Sequence, residues 1–228
     1  MTTLIIAAHP DDEVLGCGGS IKKWSDAGEE VHILIVAEGS TSRDNNRNQK
    51  KHMNIIAKLR DAARASSKIL GAKSVNFLSL PDNRMDSLDL LDIVKLIEKH
   101  INEIKPKVVV THHVGDVNID HQILHQAVIT ACRPIPKFNV KKILAFETVS
   151  STEWQPSNSK TPFTPNYYED ISQSLKYKMK ALKKYDIEMR NWPHSRSYQS
   201  VEYLAKYRGF TVGLNNAEAF LLLREIND

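Results

Sequence analysis

Thr3-Leu4-Ile5-Ile6-Ala7-Ala8-His9-Pro10-Asp11-Asp12-Glu13 is the stretch on which the reading of this chain turns. Thr3 to Ala8 is a short, continuous apolar and β-branched run, the pattern of a strand covered on both faces. At its carboxyl end stand four ligand-type side chains, and Gly16-Cys17-Gly18-Gly19 then makes a turn that opens a helix from Gly19. In an open α/β sheet the carboxyl edge of the strands is where ligands bind, above all where the strand order reverses. Pro10 holds His9 extended before the chain turns, so His9 and Asp12 can face one point while Asp11 faces a neighbouring one.

The same alternation continues outward. Val31 to Ala37, Val75 to Leu80, Val108 to His112 and Ile143 to Glu147 read as further buried strands, while Gly19 to Ala27, Lys50 to Leu70, Leu88 to Ile104 and Asp120 to Ala131 carry apolar residues at helical spacing. Such a βαβ series predicts an α/β, Rossmann-like three-layer fold with a mostly parallel sheet and helices on both faces. The stretch 148–167 reads as a long surface loop, Tyr168 to Met189 as a helix with a solvated basic face, Gln199 to Tyr207 as a last helix, and Ala219 to Leu223 as a closing strand.

Composition sets the outer limits. The 228 residues suit one domain over 1–228, and 41% hydrophobic with 25% charged residues is ordinary globular usage. A net charge of +4, concentrated only between Lys176 and Arg190, argues against nucleic acid as a partner. Cys17 and Cys132 make neither a disulfide framework nor a CxxC metal site and read as small packing residues. No stretch has a signal-peptide pattern or a membrane-spanning length, so a cytoplasmic location with no membrane partner is expected.

A second segment, Thr111-His112-His113-Val114-Gly115-Asp116-Val117-Asn118-Ile119-Asp120-His121, follows the fourth strand. In a doubly wound sheet that strand lies beside the first, which brings His121 within reach of the ion that His9 and Asp12 could hold. Two histidines and a carboxylate leave one position for water, as in catalytic zinc sites. Adjacent strand residues point to opposite faces, so at most one of His112 and His113 faces this point.

These motifs resemble the PIG-L/LmbE-like zinc N-deacetylases, whose signature is AHPDDE near the start and an Asp-His pair after the fourth strand. The likeness extends through Arg60 ahead of Leu70-Gly71, through Asn118-Ile119-Asp120-His121-Gln122, and to Ala217-Glu218-Ala219-Phe220. It implies metal ligands His9, Asp12 and His121, Asp11 as general base, one zinc ion with ferrous ion as the other candidate, and an N-acylated amino sugar or its conjugate as substrate. It is also compatible with a homo-oligomer. The family often has His-Pro-Asp-His where this chain has Asn118-Ile119-Asp120-His121, so one histidine is missing. Its task could fall to Asp11 alone, to His112 or His113, or to His194. Asp120 is expected to orient a neighbouring ligand. Arg60, Asn118 and His194 are the candidate substrate contacts, with Arg43 behind them, and Trp192-Pro193-His194-Ser195 is the polar and aromatic stretch of a sugar subsite or of a surface turn.

Two other readings compete. Gly16, Gly18 and Glu38 approximate a dinucleotide fingerprint, but Ile21 stands at the third glycine and two aspartates would repel a pyrophosphate. A non-haem iron oxygenase would use the same ligands but leave Asp11 without a task.

Overall fold

The computed structural model describes residues 1–135, 140–156 and 160–227. Seven strands form one sheet, β1 (Thr2–Ala7), β2 (Glu30–Ala37), β3 (Ser74–Leu80), β4 (Val108–His112), β5 (Lys142–Phe146), β6 (Tyr167–Asp170) and β7 (Ala217–Glu225). Their order is β3-β2-β1-β4-β5-β7-β6. The first five are parallel, whereas β7 runs antiparallel to both β5 and β6. Among the described residues six α-helices accompany them, α1 (Asp12–Asp26), α2 (Gln49–Leu70), α3 (Leu90–Ile104), α4 (Ile119–Ala131), α5 (Leu175–Leu182) and α6 (Tyr198–Phe210).

Strand periodicity divides the core. Ile5, Ile33, Ile35, Val110 and Leu144 point to one face, where they pack with α1, α2 and α5 residues such as Ile21, Leu59 and Leu182. Leu4, Ile6, Leu34 and Val109 point to the other, against Ile97 of α3 and Leu124 of α4. Each fully buried aliphatic side chain contributes about 1.5–3 kcal/mol. The fold is thus an α/β, mostly parallel three-layer sandwich.

Several boundaries differ from the sequence reading. Helix α1 begins at Asp12 and runs through the glycines, bending at Cys17 (φ −145°, ψ 24°). Gly16 is needed for contact, not for a turn, because a Cβ there would lie 2.2 Å from Phe146 Cδ2 of β5. β3 is the half-buried edge strand of the sheet, not a fully covered one.

The expected helix over Tyr168 to Met189 is instead strand β6, then α5, then a short 3-10 segment at Lys183–Glu188. Pairing of Tyr167 to Asp170 with β7 takes the first residues out of the expected helix, while the period of Leu175, Met179 and Leu182 is realised in α5. The basic face of α5 is not wholly solvated either, since Lys178 is buried and donates to Glu218 Oε1 at 2.6 Å and to the Leu15 carbonyl at 2.8 Å. The expected loop 148–167 contains a 3-10 turn at Thr152–Trp154, and its residues 157–159 lie outside the described part. No described helix is long and apolar enough to cross a membrane.

Candidate active site and metal centre

β1 and β4 are neighbours in register, with Ile5 opposite Val110. The loops that leave their carboxyl ends therefore meet, and His9, Asp12 and His121 converge although His121 is 112 residues from His9. His9 Nδ1 and His121 Nε2 each lie 3.2 Å from Asp12 Oδ2 and 3.3 Å from one another. Donors arranged tetrahedrally at about 2.0–2.1 Å from zinc are separated by about 3.3 Å, so the triangle fits one such ion. The second Asp12 oxygen, Oδ1, is buried with no hydrogen-bond partner, an orphan that a cation beside it would satisfy.

Carboxylates fix both rings from behind. His121 Nδ1 faces Asp116 Oδ2 at 3.1 Å, and Asp116 is itself held by the hydroxyls of Ser151 and Thr152 and by the Asn118 amide. His9 Nε2 faces Asp120 Oδ2 at 3.0 Å and Asp82 Oδ1 at 3.3 Å, while Asp120 also accepts from the amides of Asn83 and Met85. A protonated nitrogen turned to each carboxylate leaves the other ring nitrogen free to bind an ion. Asp120 thus stands behind His9. Asp116 and Asp82 were not singled out from the sequence, although Asp116 lies inside the second motif and Asp82 follows β3 at the same sheet edge.

His112 faces the centre and His113 faces away. His112 Nε2 accepts the Ala8 amide at 2.9 Å, which engages the lone pair a metal would need, and its ring stacks on His121 at 3.7 Å. Burial, reinforced by the His121 charge, pushes its pKa well below the usual histidine range. His113 instead reaches the Thr161 carbonyl and packs on Phe163. His125 bonds the His112 carbonyl at 2.8 Å, a structural contact.

The charges match a cation-binding pocket. Burial presses His121 down, but Asp12 and Asp116 raise its pKa to about 9. The same opposition between burial and the carboxylates of Asp12 and Asp120 leaves His9 well above its ordinary value. Asp12 is held well below the carboxylate range, burial being overcome by His121 and His112.

Asp11, buried, is not part of the triangle and lines a cavity of about 130 Å³ with His9, Leu59, Asn83, Asn118 and Arg196. Its backbone is strained, at φ 114° and ψ −28°, and its amide donates to Glu13 Oε2 at 3.1 Å while Tyr185 donates to the other Glu13 oxygen at 2.6 Å. Strain of this kind persists where surrounding contacts over-determine it, and it clusters at functional sites. Burial raises the Asp11 pKa to about 8, opposed by Arg196 and assisted by Asp12.

Of the other sequence candidates, Asn118 and Arg43 line this cavity and Arg60 and His194 do not. Asn118 lines the cavity, but its amide is committed: Oδ1 caps α4 through the Asp120 amide and Nδ2 donates to Asn83. Arg60 points to Ser79 and the Phe77 ring, in a separate depression. His194 is exposed, with Nδ1 accepting the Arg196 amide. Arg43 lines the cavity and donates to Glu188. Arg196, two residues beyond His194, supplies the cation that sequence reasoning missed. Glu38, the acid of the disfavoured dinucleotide pattern, is spent on Arg47, Thr41 and Gln49.

The chain is similar to known proteins. Residues 4–132 match the family model described as PIG-L, GlcNAc-PI de-N-acetylase. The chain is 31% identical to the uncharacterized deacetylase YaiS of Escherichia coli, over 80% of this chain and 89% of that one. It is 26% identical to a probable N-acetyl-alpha-D-glucosaminyl L-malate deacetylase 2 of Bacillus cereus, over 78% and 80% of the two chains. Its fold matches the N,N'-diacetylchitobiose deacetylase of Pyrococcus horikoshii with a TM-score of 0.78 at 22% identity, covering 98% of this chain and 84% of that one. The chain therefore belongs to the PIG-L family of de-N-acetylases, enzymes that hydrolyse N-acetyl amides.

Proposed function

We propose that the protein is a zinc-dependent hydrolase that removes the N-acetyl group from an amino sugar or a conjugate of one. The observation that carries this reading is the triangle of His9 Nδ1, Asp12 Oδ2 and His121 Nε2, with sides of 3.2 to 3.3 Å and Asp11 beside it. Two imidazoles and one carboxylate suit zinc, and ferrous ion is the alternative for the same donors. The cation, when bound, would polarise the acyl carbonyl and acidify a water molecule.

The chain's own residues supply the rest. Asp11 accepts a proton from the attacking water as its oxygen adds to the carbonyl carbon. Asp11 then delivers that proton to the amide nitrogen as the C–N bond breaks, leaving a free amine and acetic acid, whose remaining proton passes to solvent or to the amine. Asn118 cannot deliver a proton, and His112 and His113 are engaged elsewhere, so Asp11 serves as both base and acid. Arg196 donates to Asp11 Oδ2 and aims the carboxylate into the cavity. The polar lining, which includes Ser42, Arg43 and Asp82, suits sugar hydroxyls, and the names of the relatives in Bacillus cereus and Pyrococcus horikoshii point to N-acetylglucosamine derivatives.

Mass spectrometry of N-acetylated sugar conjugates incubated with zinc-loaded protein tests the reading. Loss of acetyl that stops after dialysis against a chelator and returns with zinc is expected. Turnover that requires oxygen, ferrous ion and a 2-oxo acid would overturn it.

A further inference from the structure

A second cavity, of about 400 Å³, opens between α6 and the turn after the Lys183–Glu188 segment. Arg196 and Ser150 stand between it and the catalytic cleft. The guanidinium bonds Asp11 at 2.9 Å on one side and Ser150 Oγ at 3.0 Å on the other, and Thr148 and Val149, next to Ser150, wall the second cavity.

Its surface is mostly hydrocarbon. Val149, Trp192, Pro193, Tyr203, Leu204 and Tyr207 line it, and the Trp192 and Tyr203 rings meet edge to face at 5.5 Å. Trp192, Tyr203 and Tyr207 are 56%, 54% and 48% exposed, a concentration of large apolar groups that a soluble surface rarely leaves uncovered. The carboxylates in the wall are already paired. Glu147 receives Arg208 Nε at 2.7 Å and Nη2 at 2.6 Å, and Glu153 receives the amides of Ser150 and Ser151. A largely hydrocarbon cavity whose carboxylates are already paired favours an apolar occupant over a ring of hydroxyls, and its volume is that of a small-molecule site.

We propose that this cavity is an aglycone subsite, taking an apolar alkyl or aryl group carried by the same sugar whose N-acyl group lies in the neighbouring cleft. The inference rests on the deacetylase reading for the identity of the sugar, but the apolar recognition can be measured without turnover.

Two measurements on the zinc-loaded protein decide it. The first is kcat/KM for the methyl and p-nitrophenyl glycosides of N-acetylglucosamine in the wild type, Tyr203→Ala and Tyr207→Ala. The wild type should favour the p-nitrophenyl glycoside by about tenfold or more, and either substitution should reduce that preference to about twofold while the methyl glycoside changes by less than about twofold. The second is tryptophan fluorescence with octyl glucoside, which has the apolar group and no amide. Its titration should perturb Trp192 in the wild type and be lost in Tyr203→Ala. Perturbation without turnover of either glycoside supports apolar recognition in this cavity and removes N-acetylglucosamine as the sugar. Equal losses on both glycosides, turnover with no preference, or a dimer that either substitution dissociates would overturn the subsite.

Discussion

Arg196 Nη1 donates to Asp11 Oδ2 at 2.9 Å, joining two residues 185 positions apart. Arg196 sits at the amino end of α6, Asp11 at the amino end of α1, and the contact closes one wall of the cleft. Removing the guanidinium leaves a buried carboxylate without its cation. In Arg196→Ala the Asp11 pKa therefore rises further above about 8, and the acidic limb of the kcat/KM profile moves to higher pH. Loss of activity should be larger at pH 7 than at pH 9, with Arg196→Lys intermediate. A profile that is lowered but not displaced would count against this role.

Asp11→Asn keeps the shape of the side chain and removes its basicity. Turnover should fall by about two to four orders of magnitude with zinc content unchanged. His121→Ala should instead lose the metal. Elemental analysis of the two purified variants separates these outcomes, and equal zinc in both would remove the division of roles.

Asp116 and Asp120 each hold a ring of the candidate metal centre from behind, at 3.1 Å from His121 and 3.0 Å from His9. Asp116→Asn or Asp120→Asn should weaken zinc binding by about 10- to 100-fold, read by competition with a chromophoric chelator. Unchanged affinity would make these contacts merely structural.

With its pKa at about 9 in the metal-free protein, His121 carries a proton at pH 7.5 that zinc must displace. Calorimetry of zinc binding in buffers of different ionisation enthalpy should report at least one proton released. Affinity should rise with pH and level off above about 9. The same raised value means that the metal-free fold gains stability from this proton below its ordinary value of 6.5, and loses that gain as pH climbs through about 9.

Gly16→Ala places a Cβ 2.2 Å from the Phe146 ring, so α1 or β5 must shift. Overpacking of this kind costs about 1–3 kcal/mol, visible as a lower urea midpoint. An unchanged midpoint would show that the helix can move freely at its bend.

The site was legible where chemistry and chain order coincide. His9, Asp11 and Asp12 fall within four consecutive residues at the end of an apolar strand, and the order of a doubly wound sheet places the loop after β4 against them. His121 could be paired with His9 on that basis, and Asp120 follows from its neighbourhood to a ligand. The placement of Arg60 and His194 was not legible, because a residue type and a nearby motif say nothing of which way a side chain turns; Leu59 lines the cleft, whereas Arg60 beside it bonds Ser79.

By itself, then, the sequence determined the alternation of buried strands and helices, the family, and the cluster of ligand-type residues, because hydrophobic period and local motif are written in neighbouring positions. Only the tertiary structure decided that Tyr167 to Asp170 is a strand, that Asp116 and Asp82 stand behind the two histidines, and that Arg196 meets Asp11. These contacts join residues remote in the chain, and their partners are selected by packing and by the need to pair buried charge, neither of which leaves a period in the sequence.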